Sequence, residues 1–292
     1  MLGHLLGGPG DLVVDLLHRR LVALQSCSDR DRDRHLPQTV AARLWRNFGG
    51  VLRIYLTGEP CLLADGRLIA AEQLPRRQGR LAFAYLVSER ARPVSRAELA
   101  EVLWPGCLPA AYQAALSALV RKLRALLGRE VITSIHGCYR LELPADAWID
   151  TEAAHAAVHE AEAALRADRQ PAAYGPARVA AAILRRPFLP GADGSWVEDR
   201  RETLGQLLLR ALDVLVEVHA WNREPALAVR VAQQALALEP FRESGYRRLM
   251  RLHQSAGDRA EALRVYERCR RLLADELGTT PAAETEAVRA AL

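Results

Sequence analysis

Two hydrophobic periods divide this sequence. Between residues 51 and 69, apolar and polar side chains alternate in VLRIYL, CLLA and RLIA, and turn-forming residues separate these stretches at Gly58-Glu59-Pro60 and Asp65-Gly66. This pattern predicts a small antiparallel sheet. From Trp148 onward the apolar positions recur at helical spacing without strand-like alternation, which predicts helices almost throughout.

Two helices are predicted after the first sheet, over Arg76 to Glu89 and from Ser95 onward. Ser95 followed by Glu98 is a capping-box pattern, and Trp104-Pro105-Gly106 ends the second helix. The positions expected to be buried or to form the apolar pattern are Leu81, Tyr85, Leu86, Leu99, Val102 and Leu103.

A third helix, from Pro109 to Gly128, carries two opposed stripes. The apolar stripe consists of Leu116, Val120, Leu123 and Leu127. The polar stripe consists of Gln113, Ser117, Arg121 and Arg124, and Lys122 flanks it. Glycine at the end favours termination. Such a helix can lie in a DNA major groove, although an ordinary amphipathic surface helix has the same periodicity.

The neighbours of this third helix favour DNA binding. Two strands, VITSI and CYRLEL, follow it and are joined through His136-Gly137. Strands, three helices and a hairpin are the order of a winged helix-turn-helix. Residues 51–143 contain 13 Lys and Arg against 8 Asp and Glu, whereas residues 144–292 contain 20 against 22. The positive excess therefore lies in the segment that would approach phosphate.

A 34-residue repeat is present in the helical half. Ala228, Ala232, Ala235 and Pro240 have the spacing of a tetratricopeptide second helix and its exit proline. The pairs that correspond at this offset are Ala228 with Ala262, Ala232 with Tyr266, Ala235 with Cys269, Leu212 with Tyr246, Leu215 with Leu249, and His219 with His253. Gly257-Asp258 supplies the turn, and Ala274 replaces the exit proline in the second repeat.

Composition bounds the class of protein. The 292 residues are half hydrophobic and can form two or more domains. Five scattered cysteines indicate neither a disulfide framework nor a zinc site, so we expect a reducing cytoplasm and no metal or other cofactor. No apolar stretch is long enough for a membrane span, and the first residues do not resemble a signal peptide. The predicted fold is mainly α with small β-sheets.

We expect an amino-terminal extension over residues 1–50, a DNA-binding domain over 51–145 and an all-α, tetratricopeptide-like domain over 146–292. Within the extension, residues 11–25 and 39–48 are expected to form short helices. The role of this extension is left open between docking onto a later domain and partial disorder.

The chain resembles the Streptomyces antibiotic regulatory protein family, which combines an OmpR-like winged helix with a bacterial transcriptional activation domain. The stretches that carry the resemblance are LADGRLI (63–69), PVSRAELAEVLWPG (93–106), ALSALVRKLRALLG (115–128), CYRLEL (138–143) and AGDRAEALRVYERCRRLLADELGTTPAAET (256–285). It implies a transcriptional activator that binds direct repeats of promoter DNA as a homodimer and recruits RNA polymerase holoenzyme. Short family members lack an ATPase module, and this sequence contains no GxxxxGK[ST] motif.

The resemblance implies that the third helix and the wing contact DNA. The residues concerned are Gln113, Ser117, Arg121, Lys122 and Arg124 on the helix and Tyr139 and Arg140 on the wing. Gln113 can pair with adenine and Arg121 with guanine, whereas Lys122, Arg124 and Arg140 suit phosphates. Further contacts with the DNA backbone are expected from Arg76, Arg77, Arg80 and His136.

Departures from the family pattern leave an alternative open. The wing tip is Ile135-His136-Gly137-Cys138, without the usual cation, and Ala114 occupies a position that is often polar in relatives. An adaptor that binds a peptide or effector and no longer reads DNA would fit these changes. An enzyme would require a reactive cluster, which the sequence does not show, so we expect no catalysis.

The helical half contains a basic stripe and two tryptophans whose environments can be predicted. Arg264, Arg268 and Arg271, joined by Arg270, form a basic stripe beside acidic residues, which indicates intrahelical pairs more than a partner groove. Trp196 and Trp221 are expected to pack in the core or between helices.

Overall fold

The structure, a computed structural model, describes residues 52–64 and 66–292. Most of these residues are helical, and the small sheets precede the long helical segment, so the predicted fold class is confirmed. The contacts divide them into two units. The first extends to Ala153 and includes Ile183–Leu204; the second comprises Ala154–Ala182 and Gly205–Leu292.

The first sheet contains β1 (Arg53–Tyr55), β2 (Cys61–Ala64), β3 (Arg67–Ile69) and β7 (Trp148–Ile149). Its order is β3-β2-β1-β7. The predicted antiparallel pairing of the first three strands is confirmed, with Ile54 opposite Leu62 and Leu62 opposite Ile69. The fourth strand pairs in parallel with β1, which local alternation could not predict because β7 has only two residues.

Helices α1 (Arg76–Ser88), α2 (Arg96–Leu103) and α3 (Tyr112–Leu127) pack together. The predicted core positions Leu81, Tyr85, Leu86, Leu99 and Leu103 are buried, while Val102 is only partly buried. The predicted capping box is present: Glu98 N donates to Ser95 Oγ over 3.1 Å, and Ser95 N donates to the Glu98 carboxylate over 3.4 Å. A capped α2 therefore begins at the predicted residue.

Two strands after α3 form a second sheet with one strand that precedes α2. It contains β4 (Val94–Ser95), β5 (Ile132–Ile135) and β6 (Cys138–Leu141) in the order β4-β6-β5. The β5–β6 hairpin is the predicted wing. The addition of β4 joins this hairpin to the segment before α2, so the wing is held from both sides of the helix-turn-helix.

The remaining helices are α4 (Asp150–Arg166), α5 (Gln170–Leu184), α6 (Ser195–Trp221), α7 (Pro225–Leu238), α8 (Glu243–Ser255), α9 (Arg259–Leu277) and α10 (Ala283–Ala290). The positions paired by the repeat are buried except His253, which is partly buried, whereas the exit proline Pro240 and its counterpart Ala274 are exposed. Asp258 caps α9 by accepting a hydrogen bond from Glu261 N over 3.1 Å. The alanines let paired helices approach closely, as the repeat predicted.

The second repeat ends differently from the first. Helix α7 ends two residues before Pro240, whereas α9 continues past Ala274 to Leu277. Alanine retains the backbone N–H that proline lacks, so the helix can continue. Gly278 then adopts φ +63°, the left-handed conformation that ends helices.

A buried carboxylate anchors β1 to the start of α4 within the first unit. Asp150 accepts hydrogen bonds from Leu56 N over 3.0 Å, Thr57 N over 2.9 Å and Thr57 Oγ1 over 2.7 Å. Arg186 lies 3.6 Å from the same carboxylate. Burial raises the pKa of Asp150 and outweighs the opposing hydrogen bonds. One fully buried side chain thus joins three distant chain segments.

The two predicted tryptophans have different environments. Trp196 packs edge-on against Tyr85, with ring centroids 4.9 Å apart, and against Phe188 at 5.7 Å. Trp221 is 55% exposed, so the expectation that it packs in the core is wrong. It is the last residue of α6, where fewer neighbouring residues cover a side chain.

Some expectations lie outside the described residues, namely the short helices at 11–25 and 39–48 and Asp65 of the predicted turn. Among the residues that are described, no helix is long and apolar enough to cross a membrane. The four described cysteines are free, and no cluster of potential metal ligands is found in this part of the chain.

The capping carboxylate makes the first unit sensitive to acid. Arg92 donates to Glu98 over 2.5 and 3.1 Å and, with help from the Tyr85 hydroxyl, lowers the pKa of Glu98 to about 2 from an ordinary value of 4.5. Stabilisation from a lowered pKa is present above the ordinary value and is lost as the pH falls toward the folded value. We expect Glu98→Gln to destabilise the first unit by about 1 kcal/mol at neutral pH.

The same substitution should flatten the pH dependence of stability in that acidic window. Urea denaturation followed by circular dichroism at neutral and acidic pH measures both effects. Glu202→Gln is a matched control, because Glu202 on α6 is exposed and forms no ion pair with any of the described residues. Equal pH profiles for Glu98→Gln and the wild type would contradict the assignment.

Candidate nucleic-acid interface

Helix α3 is fixed to the first unit by its apolar stripe. Leu116, Val120, Leu123 and Leu127 are each at most 1% exposed, as predicted from their spacing. The helix ends at Gly128, which has φ +110° and ψ 144°. This positive φ is a glycine conformation, although it differs from the left-handed geometry that was expected. The buried stripe determines which face of α3 remains available.

The available face presents Gln113, Ser117 and Arg121, all exposed and spaced four residues apart. They extend over about 12 Å of helix. Lys122 is exposed beside them. Within the described chain, the side chains of Gln113, Arg121 and Lys122 have no ion pair or hydrogen bond, whereas Ser117 Oγ donates to Gln113 O over 2.8 Å. The face is therefore unoccupied by intramolecular contacts at its amide and its cations.

Arg124 has a different environment from the other cations of α3. Its Nε donates to Ile132 O over 2.8 Å, and its Nη2 donates to Ser134 Oγ over 2.8 Å. Both acceptors belong to β5. Arg124 therefore fastens the wing to α3, and its guanidinium is engaged with protein where a phosphate contact was expected.

The wing tip is a two-residue turn. His136 has φ +48° and Gly137 has φ +80°, and Ile135 pairs with Cys138 across the turn. Positive φ at both central residues is the requirement of a type I′ hairpin turn. His136 is exposed, and Ile135 is 46% exposed. The turn places an imidazole and an apolar side chain at the tip.

Tyr139 requires a correction. It was expected to contact DNA, but its side chain is only 2% exposed because it lies on the inner face of β6, opposite Val94. Arg96 lies over its ring at 5.4 Å and is itself exposed. The buried tyrosine supports an exposed arginine at the first residue of α2, a position that sequence reasoning missed. Its only sequence signal was an arginine directly after the capping serine.

The remaining predicted cations are partly neutralised. Arg140 pairs with Glu142 at 3.3 Å, and Arg77 pairs with Asp193 at 2.6 Å. Arg76 is exposed at the first residue of α1, whereas Arg80 is partly buried and its Nε has no hydrogen-bond partner among the described residues. The structure thus brings Gln113, Ser117, Arg121 and Lys122 onto one helix and leaves the α1 cations on another element.

The comparisons with known proteins concern the helical half and the chain as a whole. The family model described as the bacterial transcriptional activator domain matches residues 149–292. The protein named Regulatory protein AfsR of Streptomyces coelicolor is 30% identical over 232 residues, which are 80% of this chain and 23% of that protein. Its namesake from Streptomyces griseus is 27% identical over 207 residues, or 71% of this chain and 21% of that protein.

A solved structure is similar across both units. Mycobacterium tuberculosis EmbR, in complex with a low-affinity phosphopeptide, matches with a TM-score of 0.73 and 25% identity over 82% of this chain and 64% of EmbR. The chain spans less than a quarter of the length of the AfsR proteins. These relatives are named as regulatory proteins, in agreement with the expectation of a regulator and not an enzyme. Residues 149–292 therefore belong to the bacterial transcriptional activator domain family, and the chain that contains them is similar to the AfsR regulatory proteins.

Proposed function

We propose that this protein binds promoter DNA in a sequence-specific manner by inserting α3 into the major groove. The observation that carries the proposal is the exposed face of α3, where an amide and two cations have no partner among the residues that the structure describes. A major groove admits one α-helix, and base edges are read there by side chains of these types. Family membership supports the same activity.

Each side chain on this face has a role that follows from its chemistry. Gln113 presents a donor and an acceptor that match the adenine edge, and Arg121 presents the paired donors that match guanine. Ser117 lies between them, and its hydroxyl, which donates to Gln113 O, keeps acceptor capacity toward an amino group of a base. Two residues therefore supply most of the sequence preference.

Phosphate contacts position the domain. Lys122 beside the reading face and Arg96 at the start of α2 are exposed and close to elements that border the groove in this fold. Arg140 and His136 contribute from the wing, and Arg76 from α1. Arg124 acts as a positioning residue for the wing through its two contacts with β5.

The proposal extends to assembly and partners. Residues 51–145 are assigned to DNA binding and residues 146–292 to contact with the transcription machinery, where they recruit RNA polymerase. Two copies bind side by side as a homodimer on direct repeats of the promoter. A bacterial protein with this activity works in the cytoplasm. No cofactor is required for these steps.

Salt dependence tests the phosphate contacts. We expect DNA affinity to fall steeply as salt rises, because each neutralised phosphate releases counterions. Lys122→Gln should reduce the slope of log affinity against log salt by about 1. Fluorescence anisotropy with promoter duplexes over a salt series measures the slope. Arg169→Gln is the control, since Arg169 is an exposed cation of the second unit, and an unchanged slope for Lys122→Gln would contradict its role.

The wing favours a second candidate function. Its cation Arg140 pairs with Glu142, and its tip exposes Ile135, so the hairpin is less basic than a strong minor-groove reader. An adaptor that binds protein and has lost DNA reading would have this wing. The same salt series separates the two functions, because an adaptor would show no steep salt-dependent binding to duplex.

A further inference from the structure

The second unit contains a groove. Its walls are helix α8, helix α9 and the loop that follows α7. Its volume is about 630 Å³, within the range of ligand-binding pockets. Apolar atoms of Pro240, Leu263 and Leu272 form part of its wall. Leu263 is 39% exposed and adds apolar surface to this wall. The apolar wall indicates a ligand with a hydrophobic part.

Two cations in this groove form no ion pair with the described residues. Of the basic stripe on α9, Arg264 pairs with Glu261 and Arg270 pairs with Glu267 at 3.0 Å, as the intrahelical interpretation predicted. Arg268 and Arg271 are exposed, line the groove, and form no ion pair within the part of the chain that the structure describes. They lie one turn apart and present adjacent positive charges.

A buried hydroxyl provides a second, independent indication of a ligand. Tyr246 is 1% exposed and forms part of the groove wall. Its hydroxyl is buried and has no hydrogen-bond partner among the described residues, which is rare because an unmade buried hydrogen bond is unfavourable. Arg268 lines the same groove as this tyrosine, so a cation and a free donor belong to one site.

We propose that this groove binds an acidic peptide segment of a partner protein. Carboxylates of the peptide pair with Arg268 and Arg271, one carboxylate also accepts from Tyr246, and an apolar side chain covers Leu263 and Leu272. A small anion alone would leave the apolar wall uncovered. A nucleic acid would place an unbroken row of phosphates along a groove that is also lined by Glu267 and Asp275, whereas a peptide can confine its carboxylates to the positions of Arg268 and Arg271. The proposal is independent of DNA binding, because its residues belong to the second unit.

Binding of a defined peptide tests the proposal. The probe is a fluorescein-labelled Glu-Leu-Glu-Glu-Leu-Glu peptide, and the same peptide with glutamine for glutamate is the control ligand. Anisotropy titrations use the full chain at low salt. We expect the acidic peptide to bind at least tenfold more tightly than its control, and the double variant Arg268→Gln with Arg271→Gln to lose at least tenfold in affinity.

Matched variants separate the groove from net charge. Arg230→Gln with Arg251→Gln removes two exposed arginines of the same unit that do not line the groove, and it should retain peptide affinity. Tyr246→Phe should weaken binding severalfold while the circular dichroism spectrum is unchanged. The double variant of the groove should still bind promoter duplex, so failure of this proposal is distinguishable from failure of DNA binding.

Three results would overturn the proposal. Equal affinity for the acidic and glutamine peptides would show that carboxylates are not recognised. Equal losses in the groove double variant and the control double variant would show only general electrostatic attraction. Full displacement of the peptide by inorganic phosphate at constant ionic strength would assign the groove to small anions.

Discussion

Replacement of Arg121 by alanine is expected to lower the affinity for the cognate promoter by about 1–3 kcal/mol, the cost of one lost bidentate base contact. The preference for guanine at the contacted position should relax at the same time. The fold should be unaffected, because Arg121 is exposed and makes no ion pair in the described part of the chain. Competition gel shifts with duplexes mutated one base pair at a time measure both effects.

Two control variants distinguish a base contact of Arg121 from a phosphate contact. Lys122→Ala removes a neighbouring charge from the same helix and should weaken all duplexes about equally, without changing base preference. Gln113→Ala should relax preference at a different base pair, one proposed to be adenine. If Arg121→Ala lost the same affinity for cognate and random duplexes, Arg121 would be a phosphate contact and the reading face would be assigned incorrectly.

Replacement of Asp150 by asparagine is expected to lower the free energy of unfolding of the first unit by about 3 kcal/mol. This is the typical cost of removing one partner from a buried charged network. Asparagine has the same shape but only one acceptor oxygen, whereas Leu56 N, Thr57 N and Thr57 Oγ1 all donate to the native carboxylate. At least one donor would then face an NH₂ group. Arg186 would also lose its counter-charge.

Urea denaturation followed by tryptophan fluorescence measures the effect, because Trp148 packs against Tyr55 with centroids 5.3 Å apart on the adjacent strand. The transition midpoint should fall with little change in slope. Asp146→Asn, at an exposed position four residues earlier, is the matched control and should leave the midpoint unchanged. Equal midpoints for the two variants would contradict the anchoring role of Asp150.

Most of the helices and strands could be predicted from local patterns in the sequence. The four-residue apolar stripe of α3, the Ser95 and Glu98 capping box and the 34-residue repeat were all readable from the sequence, because each depends on spacing within one element or on self-similarity. The exposed reading face follows from the same spacing, since burial of one stripe leaves the opposite one in solvent.

Long-range contacts could not be predicted in this way. Pairing of β7 with β1 and the Thr57–Phe188 bridge join residues about 90 to 130 positions apart, and no local period encodes them. The segment Ile183–Leu204 therefore belongs to the first unit without any compositional sign. The local pattern of this segment predicts helix and loop, and this pattern would be the same in either unit.

Side-chain roles at the candidate interface were predicted less well than its location. The family resemblance implied DNA contacts for Tyr139 and Arg124, but the first is buried under Arg96 and the second holds the wing. Alternation along a strand of four residues does not reveal which face meets a third strand. In this protein the pairing of β4 with β6 determines that the Tyr139 side chain is buried.

Binding to a promoter duplex that contains direct repeats, in competition with random duplex of equal length, tests the central claim most directly. Quantitative footprinting of the full chain on DNA upstream of its own gene neighbourhood provides this measurement. The account predicts protection of repeated half-sites and an affinity at least a thousandfold above that for random sequence, the lower end for specific DNA-binding proteins. Uniform weak protection, with equal affinity for both duplexes, would contradict it.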